Sequence, residues 1–318
     1  MLSAEQLRDF EENGFLVVEN LIDRETVLEP LIAEYEELLR GLRADWVAEG
    51  LLDENAPAES FQDLIKSVYQ AGLDYFQPMD ISLPPGNIPP DLPFHAGPAV
   101  FRMMTDSHLL DCIQSIIGPE ITSNPIQHVR LKPPATMLYN DETRAHITAT
   151  EWHQDRAVTL EEADRTRMVT CWLAITDATV ENGCLQVVRG SHRGDMKPHC
   201  PIPQPAIPDD FLDHDAIMPL PVKAGGGILF HPLTIHGSLV NHTDDVRWSF
   251  DLRYNVTGEP TGRPFFPDFV ARSDAAPDTV LDDPLEWRRL WEETRATLSA
   301  QDQDVKIHRW SADAAPCA

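Results

Sequence analysis

The sequence carries little positive charge. Its 25 Lys+Arg stand against 52 Asp+Glu, which leaves a formal net charge of −27 and a pI near 4.6. A field of that sign repels nucleic-acid phosphates and anionic lipid headgroups, so neither partner is expected. Cysteine is scarce: Cys112, Cys171, Cys184, Cys200 and Cys317 are widely scattered, with no Cys-x-x-Cys pair. That pattern excludes a thiolate zinc site and predicts reduced thiols with no disulfide framework. No run approaches the roughly 18 apolar residues of a membrane span, and the opening Met1-Leu-Ser-Ala-Glu-Gln-Leu is polar and acidic, unlike a secretory leader. A cytoplasmic location without a membrane partner is the expectation.

What remains is a globular mixture, 42% hydrophobic and 24% charged, which argues against wholesale disorder. Neither an internal repeat nor a clean linker is visible. The expected organisation is a single domain over 1–318: a helical amino-terminal region over 1–120, a β-barrel core over 121–260, and a loop and helical extension over 261–318. Ser3 reads as a helix N-cap and Asn13-Gly14 as the stop before a strand at 15–18. Further helices are expected at 21–39, 56–74, 106–117 and 281–298. Short β-type runs follow at 126–131, 147–152, 168–175, 184–188, 227–230 and 247–256, a texture of sandwich or barrel and not of alternating βαβ units. Asn182-Gly183, between two such runs, predicts a hairpin. Proline crowds 78–98, with seven prolines, and a second Pro- and Asp-rich insertion spans 198–221. Both are expected to be loops over the site, with Tyr139, Phe265 and Phe266 as candidate wall residues.

The sharpest chemical signal is Trp152-His153-Gln154-Asp155. On a strand through 147–155, His153 and Asp155 would share a face, so an imidazole and a carboxylate could grip one ion. The second cluster is His231-Pro-Leu-Thr-Ile-His236-Gly237-Ser238, with His242 beyond it and Arg247 eleven residues after His236. A His-x-Asp pair with one more histidine makes the two-His-one-carboxylate face that leaves open positions on Fe(II). A guanidinium nearby would grip the far end of a chelating dicarboxylate in a bidentate manner. The strand at 247–254 alternates Arg247, Ser249, Asp251, Arg253 with Trp248, Phe250, Leu252, Tyr254, which predicts a polar barrel lumen on one face. Gln127 is a candidate donor to a bound carboxylate and Arg102 a candidate anion holder; Arg156 is expected to face away from the site, and His192 and His199 to be loop hydrogen-bonders.

These motifs together resemble the phytanoyl-CoA dioxygenase-like family of Fe(II)- and 2-oxoglutarate-dependent oxygenases. The resemblance runs through Glu12-Asn-Gly-Phe-Leu-Val-Val18, the Trp-His-Gln-Asp motif, the run Thr170 to Leu185, Arg189-Gly-Ser-His192, and the distal His-Gly-Ser with its Arg. It implies His153, Asp155 and His236 as metal ligands in preference to His231 or His242, and Arg247 at the tail of 2-oxoglutarate. Trp172, Ser238 and Met137 would border the cosubstrate, with Gln127 added from its place on the preceding strand. Arg189 departs from the proline usual before Gly-Ser-His, in a loop away from the metal. The implied fold is mainly β with flanking helices, a double-stranded β-helix of jelly-roll or cupin-like form. The implied chemistry uses Fe(II), 2-oxoglutarate and O2 to hydroxylate an unactivated C–H bond of a small-molecule substrate, releasing succinate and CO2. Asp155 occupies the position a halide would need, which argues against halogenation. The alternatives are a metal-binding jelly-roll protein without turnover and a cupin-type dioxygenase independent of 2-oxoglutarate; cupin sites usually centre on His-x-His, which this chain lacks. The negative surface mildly opposes a polyanionic CoA ester. No coiled coil or apolar edge indicates an oligomeric state.

Overall fold

The computed structural model describes residues 1–318 except 145, 202, 203, 302–304, 306–308, 312, 314 and 318. Ser3 and Gln6 form a reciprocal capping box that starts α1 (Ala4–Asn13), and Gly14, at φ +83°, ends it. β1 (Phe15–Val18) follows, then α2 (Glu29–Ala48), α3 (Phe61–Gln70), α4 (Phe76–Met79), α5 (Pro98–Met104) and α6 (Ser107–Ile117). The strands are β2 (Ile121–Lys132), β3 (Met168–Ala174), β4 (Leu185–Val188), β5 (Ile217–Leu220), β6 (Gly227–Phe230), β7 (His236–Ser238), β8 (Arg247–Val256) and β9 (Phe269–Arg272), and α7 (Pro284–Ser299) closes the regular structure.

The strands form two antiparallel sheets, ordered β1-β6-β3-β8-β2-β9 and β5-β4-β7. Pairing of β1 with β6 ties the amino-terminal region to the β core. The period-2 pattern of β8 decides what each face of the large sheet meets. Trp248, Phe250, Leu252 and Tyr254 join one apolar cluster with Leu31, Tyr35 and Leu39 of α2 and with residues of α3, α5 and α6, so the helices cover that face. The opposite face turns to the small sheet: Trp172, Ile228 and Phe230 cluster with Leu185, Val187 and Leu220. Arg247, Ser249, Asp251 and Arg253 point the same way and are buried. The architecture is mostly β with a helical layer.

Three expectations need correction. Residues 147–155 are not a strand: His153 makes one isolated bridge to His236, and Asp155 begins a 3-10 turn, Asp155–Val158. The chain leaves the sheet there because the Arg156 N–H donates to Pro232 O instead of continuing a ladder. Asn182-Gly183 is not a hairpin, since β3 and β4 belong to different sheets. It is a crossover turn in which the Asn182 side chain accepts from Thr179 N–H and donates to Asp177 O, and Gly183 sits at φ +87° with Leu239 O only 2.6 Å from where a Cβ would lie. Finally, Cys200 and Cys317 are disulfide-bonded, their Cα atoms 5.4 Å apart, while Cys112, Cys171 and Cys184 are buried free thiols. The carboxy-terminal strap explains the pairing. Arg309 bridges to Asp164 at 2.8 Å and the Trp310 ring stacks on His199, ring centres 5.2 Å apart, which brings the tail to the loop that bears Cys200.

Candidate metal centre

β7 holds His236, and the segment bridged to it holds His153: each residue's N–H donates to the other's carbonyl at 2.9 Å. The two imidazoles therefore face one another, ring centres 4.2 Å apart. His153 Nδ1 lies 2.9 Å from Glu151 O and His236 Nδ1 3.0 Å from Thr234 O, in both cases a carbonyl two residues earlier. A carbonyl only accepts, so each Nδ1 carries the hydrogen and each Nε2 presents a lone pair. Asp155 Oδ1 stands 3.7 Å from His153 Nε2 and 3.9 Å from His236 Nε2. All three donor atoms lie within 4.8 Å of one another.

Burial sets the charges of this cluster. Desolvation, helped by the neighbouring His236, pushes His153 down to about 3, and desolvation also lowers His236, so both rings are neutral at physiological pH. Asp155 is fully buried, which alone would raise its pKa, but the Arg253 guanidinium bonded to it outweighs burial and holds it ionised. Arg253 donates to Asp155 Oδ1 at 2.5 Å and Thr170 Oγ1 donates to Oδ2 at 2.5 Å. Two neutral nitrogens and one carboxylate oxygen suit a divalent first-row metal, and this His-Asp-His set fits Fe(II).

Beside the triad lies a small recess whose wall includes Arg247, Trp172, Thr150 and Phe230. Arg247 is fully buried, its NH1 donates to Ser249 Oγ at 3.3 Å, and its Nε and NH2 have no hydrogen-bond partner among the described residues. The guanidinium sits over the Trp172 ring, 5.3 Å from its centre, and Trp172 Nε1 is also unpartnered. Burial lowers the Arg247 pKa to about 10, which still leaves it a cation at neutral pH. A buried cation with unsatisfied N–H groups is costly unless an anion fills the space. The recess thus fits the carboxylate of a dicarboxylic 2-oxo acid chelating the neighbouring metal.

Of the other expected site residues, Trp172 lines this recess, and Ser238 lies behind it, its Oγ accepting from Lys132 Nζ at 2.7 Å. Met137 and Gln127 are not among the residues that line the recess or the larger cavity beside it. Met137 packs half-buried against the main core from a 3-10 turn. Gln127 is buried, but its Nε2 donates to Ile81 O at 2.8 Å, fastening the proline-rich segment. Arg102 is exposed on α5. His231 accepts from the Leu233 N–H and His242 is exposed, so neither joins the cluster. Arg156 faces away as expected, donating to the carbonyls of Ala163 and Thr166. His192 and His199 are loop hydrogen-bonders, His192 on Glu11 O and His199 accepting the Gln154 N–H. Sequence reasoning missed the polar face of β2. His128, Arg130 and Lys132 pair with Asp251, Ser249 and Arg247 across β8, a period-2 signal of the same kind that was read on β8 itself.

A cavity of about 400 Å³ adjoins the centre, sharing His153, Thr150, Arg130 and Arg253 with the recess. Asp80, Leu83 and Pro84 of the first proline-rich segment and Pro201, Gln204 and Pro205 of the second line it, so both loops flank the site as anticipated. Phe266 lines the cavity, Phe265 packs edge-on against Phe266, and Tyr139 lies elsewhere, hydrogen-bonded to Tyr69 O.

The family model described as phytanoyl-CoA dioxygenase (PhyH) matches residues 10–249, a stretch that contains His153, Asp155, His236 and Arg247. The chain belongs to the phytanoyl-CoA dioxygenase family. Peroxisomal phytanoyl-CoA dioxygenase of Homo sapiens is 26% identical over 271 residues, covering 80% of this chain and 68% of the human one. Phytanoyl-CoA dioxygenase domain-containing protein 1 of Mus musculus is 26% identical over 274 residues, covering 79% and 89%. Among solved structures, the apo form of the non-heme monooxygenase ThoJ gives a TM-score of 0.59 at 20% identity, across 93% of this chain and 99% of ThoJ. The epimerase SnoN, in complex with Fe3+, α-ketoglutarate and nogalamycin RO, gives 0.51 at 18% identity across 81% and 86%. At such identities the structural likeness establishes a shared fold. Membership of the phytanoyl-CoA dioxygenase family makes this chain a dioxygenase-class protein of iron and 2-oxoglutarate. Among the described residues no helix is long and apolar enough to cross a membrane.

Proposed function

We propose that this member of the phytanoyl-CoA dioxygenase family hydroxylates an unactivated C–H bond of a small organic substrate, with release of succinate and CO2. The observation that carries the reading is Arg247, a fully buried cation with two unpartnered nitrogens opening on the same recess as the His-Asp-His set. In this reading His153, Asp155 and His236 hold the iron, Arg247 holds the distal carboxylate of 2-oxoglutarate, and Trp172 and Ser238 complete that end. Bound iron, with a 2-oxo acid and O2, supplies the oxidising power for a C–H bond. The protein's own work is orientation and dryness. Glu151 O and Thr234 O fix the two imidazoles, Arg253 and Thr170 fix the carboxylate, and the proline-rich loops exclude water from a cavity whose 400 Å³ suits a small molecule. The two sheets are read as the halves of a double-stranded β-helix within one domain.

The test is an anaerobic titration of metal-free protein with Fe(II) and then 2-oxoglutarate, followed by the visible charge-transfer band of a chelated 2-oxo acid. The band is expected in the parent, absent in His236→Ala, and shifted in Arg247→Ala to 2-oxoglutarate concentrations at least about tenfold higher, the loss of one charge-assisted contact. Iron binding without a band would overturn the cosubstrate assignment. Absence of iron binding would overturn the ligand set.

A further inference from the structure

Lys132 ends β2 directly opposite Arg247 in the β2–β8 register, so the two side chains leave the sheet on the same face. It is buried, and its ammonium donates to Ser238 Oγ at 2.7 Å and Thr150 Oγ1 at 2.9 Å, both neutral acceptors. Among the described residues no carboxylate stands within ion-pairing distance of it. The nearest acid with an electrostatic influence, Asp251, is already paired with Arg130 at 2.5 Å. Two buried basic groups thus stand side by side, Lys132 and Arg247, neither with an acidic partner among the described residues, and burial together with the Arg247 and Arg130 charges pushes the Lys132 pKa well below its usual range. Fold stability alone would be served as well or better by an apolar residue at 132, because burying a basic group without a counter-charge is a cost. Thr150, which Lys132 touches, lines the recess with Arg247.

Resting on the cosubstrate reading above, we propose that Lys132 is a second binding residue for the distal carboxylate of 2-oxoglutarate, acting beside Arg247 through direct charge and through the Ser238 and Thr150 hydroxyls it orients. One carboxylate then answers both basic groups, and its charge favours the protonated amine beside Arg247.

The test compares two 2-oxo acids on the Fe(II)-loaded protein without oxygen, by calorimetry. 2-Oxoglutarate carries the distal carboxylate and pyruvate does not. Lys132→Met keeps the length of the side chain and removes the charge. It is expected to weaken 2-oxoglutarate about ten- to hundredfold, the range of one charge-assisted hydrogen bond, and to leave pyruvate unchanged. Lys132→Gln, which keeps polar contact with Ser238 and Thr150, is expected to show the same selective loss and serves if the methionine variant does not fold. Equal weakening of both acids would mean that Lys132 merely braces β2 against β7, and no weakening of either would mean it has no role in binding; both results overturn the proposal. A parent protein that binds 2-oxoglutarate no better than pyruvate would overturn the cosubstrate reading together with it, whereas a parent that discriminates and a Lys132→Met variant that still discriminates would sink the lysine alone.

Discussion

Asp155 is the residue on which two demands converge. Its Oδ1 is the oxygen nearest both imidazole Nε2 atoms, and the same oxygen accepts from Arg253. Arg253 is itself buried and spends another N–H on Ile126 O, so without Asp155 it becomes a buried cation lacking its counter-charge. Breaking a buried pair on one side costs about 3–5 kcal/mol, while replacing both partners by apolar groups is often neutral. Asp155→Ala is therefore expected to destabilise the metal-free protein by about that amount, and Asp155→Ala combined with Arg253→Met to recover most of it, as read from urea unfolding midpoints. A single variant as stable as the parent would contradict the geometry. At this scale the legible residues were those whose partners announce themselves by spacing: His153 with Asp155 two residues on, and Arg247 eleven beyond His236. The partner of the Gln127 amide was not legible, because which group satisfies an amide is settled by distant chain. Gln127 found Ile81 O, 46 residues upstream.

The element that fixes the distance between the two histidines is β7, three residues long and closely packed against segment 150–153. Gly237 permits that approach: a Cβ there would lie 2.9 Å from Thr150 O, a backbone atom that cannot step aside without moving its neighbours. Ser238 N–H donates to that same Thr150 O at 2.9 Å, so the segment is held from one side and would be pushed from the other. Gly237→Ala is expected to part His153 from His236, lowering Fe(II) affinity at least about tenfold, since displaced ligands typically cost that much. Melting of the metal-free protein should fall only by a few degrees, because the strand pairs of β4 with β5 and of β3 with β8 are untouched. Unchanged metal affinity would show that the contact yields elsewhere. Element legibility followed periodicity. β8 and α1 were readable because alternation and a capping box are local, whereas 147–155 looked like a strand and is not: a two-hydrogen-bond bridge to a segment some eighty residues later leaves no period in the sequence. The Asn182-Gly183 turn was visible, but which sheet receives the next strand depends on side-chain burial across both sheets. The Cys200–Cys317 link was equally hidden, since it depends on where the tail is tied by Arg309 and Trp310.

At the scale of the whole molecule two electrostatic effects of opposite sign meet on acidification. The net charge of −27 implies self-repulsion that protonating exposed carboxylates would relieve, favouring the folded state as pH falls. Against it stand histidines buried in neutral form. Desolvation holds His153 at about 3 and His199 and His231 at about 4, and lowers His146 and His236 as well, whereas an unfolded histidine titrates near about 6.5. Between those values the unfolded chain binds more protons than the folded one, so the stability these groups contribute is full above about pH 6.5 and is lost as pH falls toward about 4. Carboxylate relief comes largely lower, near about pH 4, and acts between exposed charges that salt screens beyond about 8–10 Å. The histidine effect is buried and resists screening. The urea midpoint of the metal-free protein is therefore expected to fall between pH 7 and pH 5, and to fall by a similar amount at low and high salt. Loading with Fe(II) should reduce the fall, because a ligated Nε2 on His153 and His236 takes no proton and the metal binds only the folded form. A midpoint that rises on acidification at low salt and loses that rise at high salt would mean that surface repulsion, not the buried imidazoles, governs the pH response of this fold.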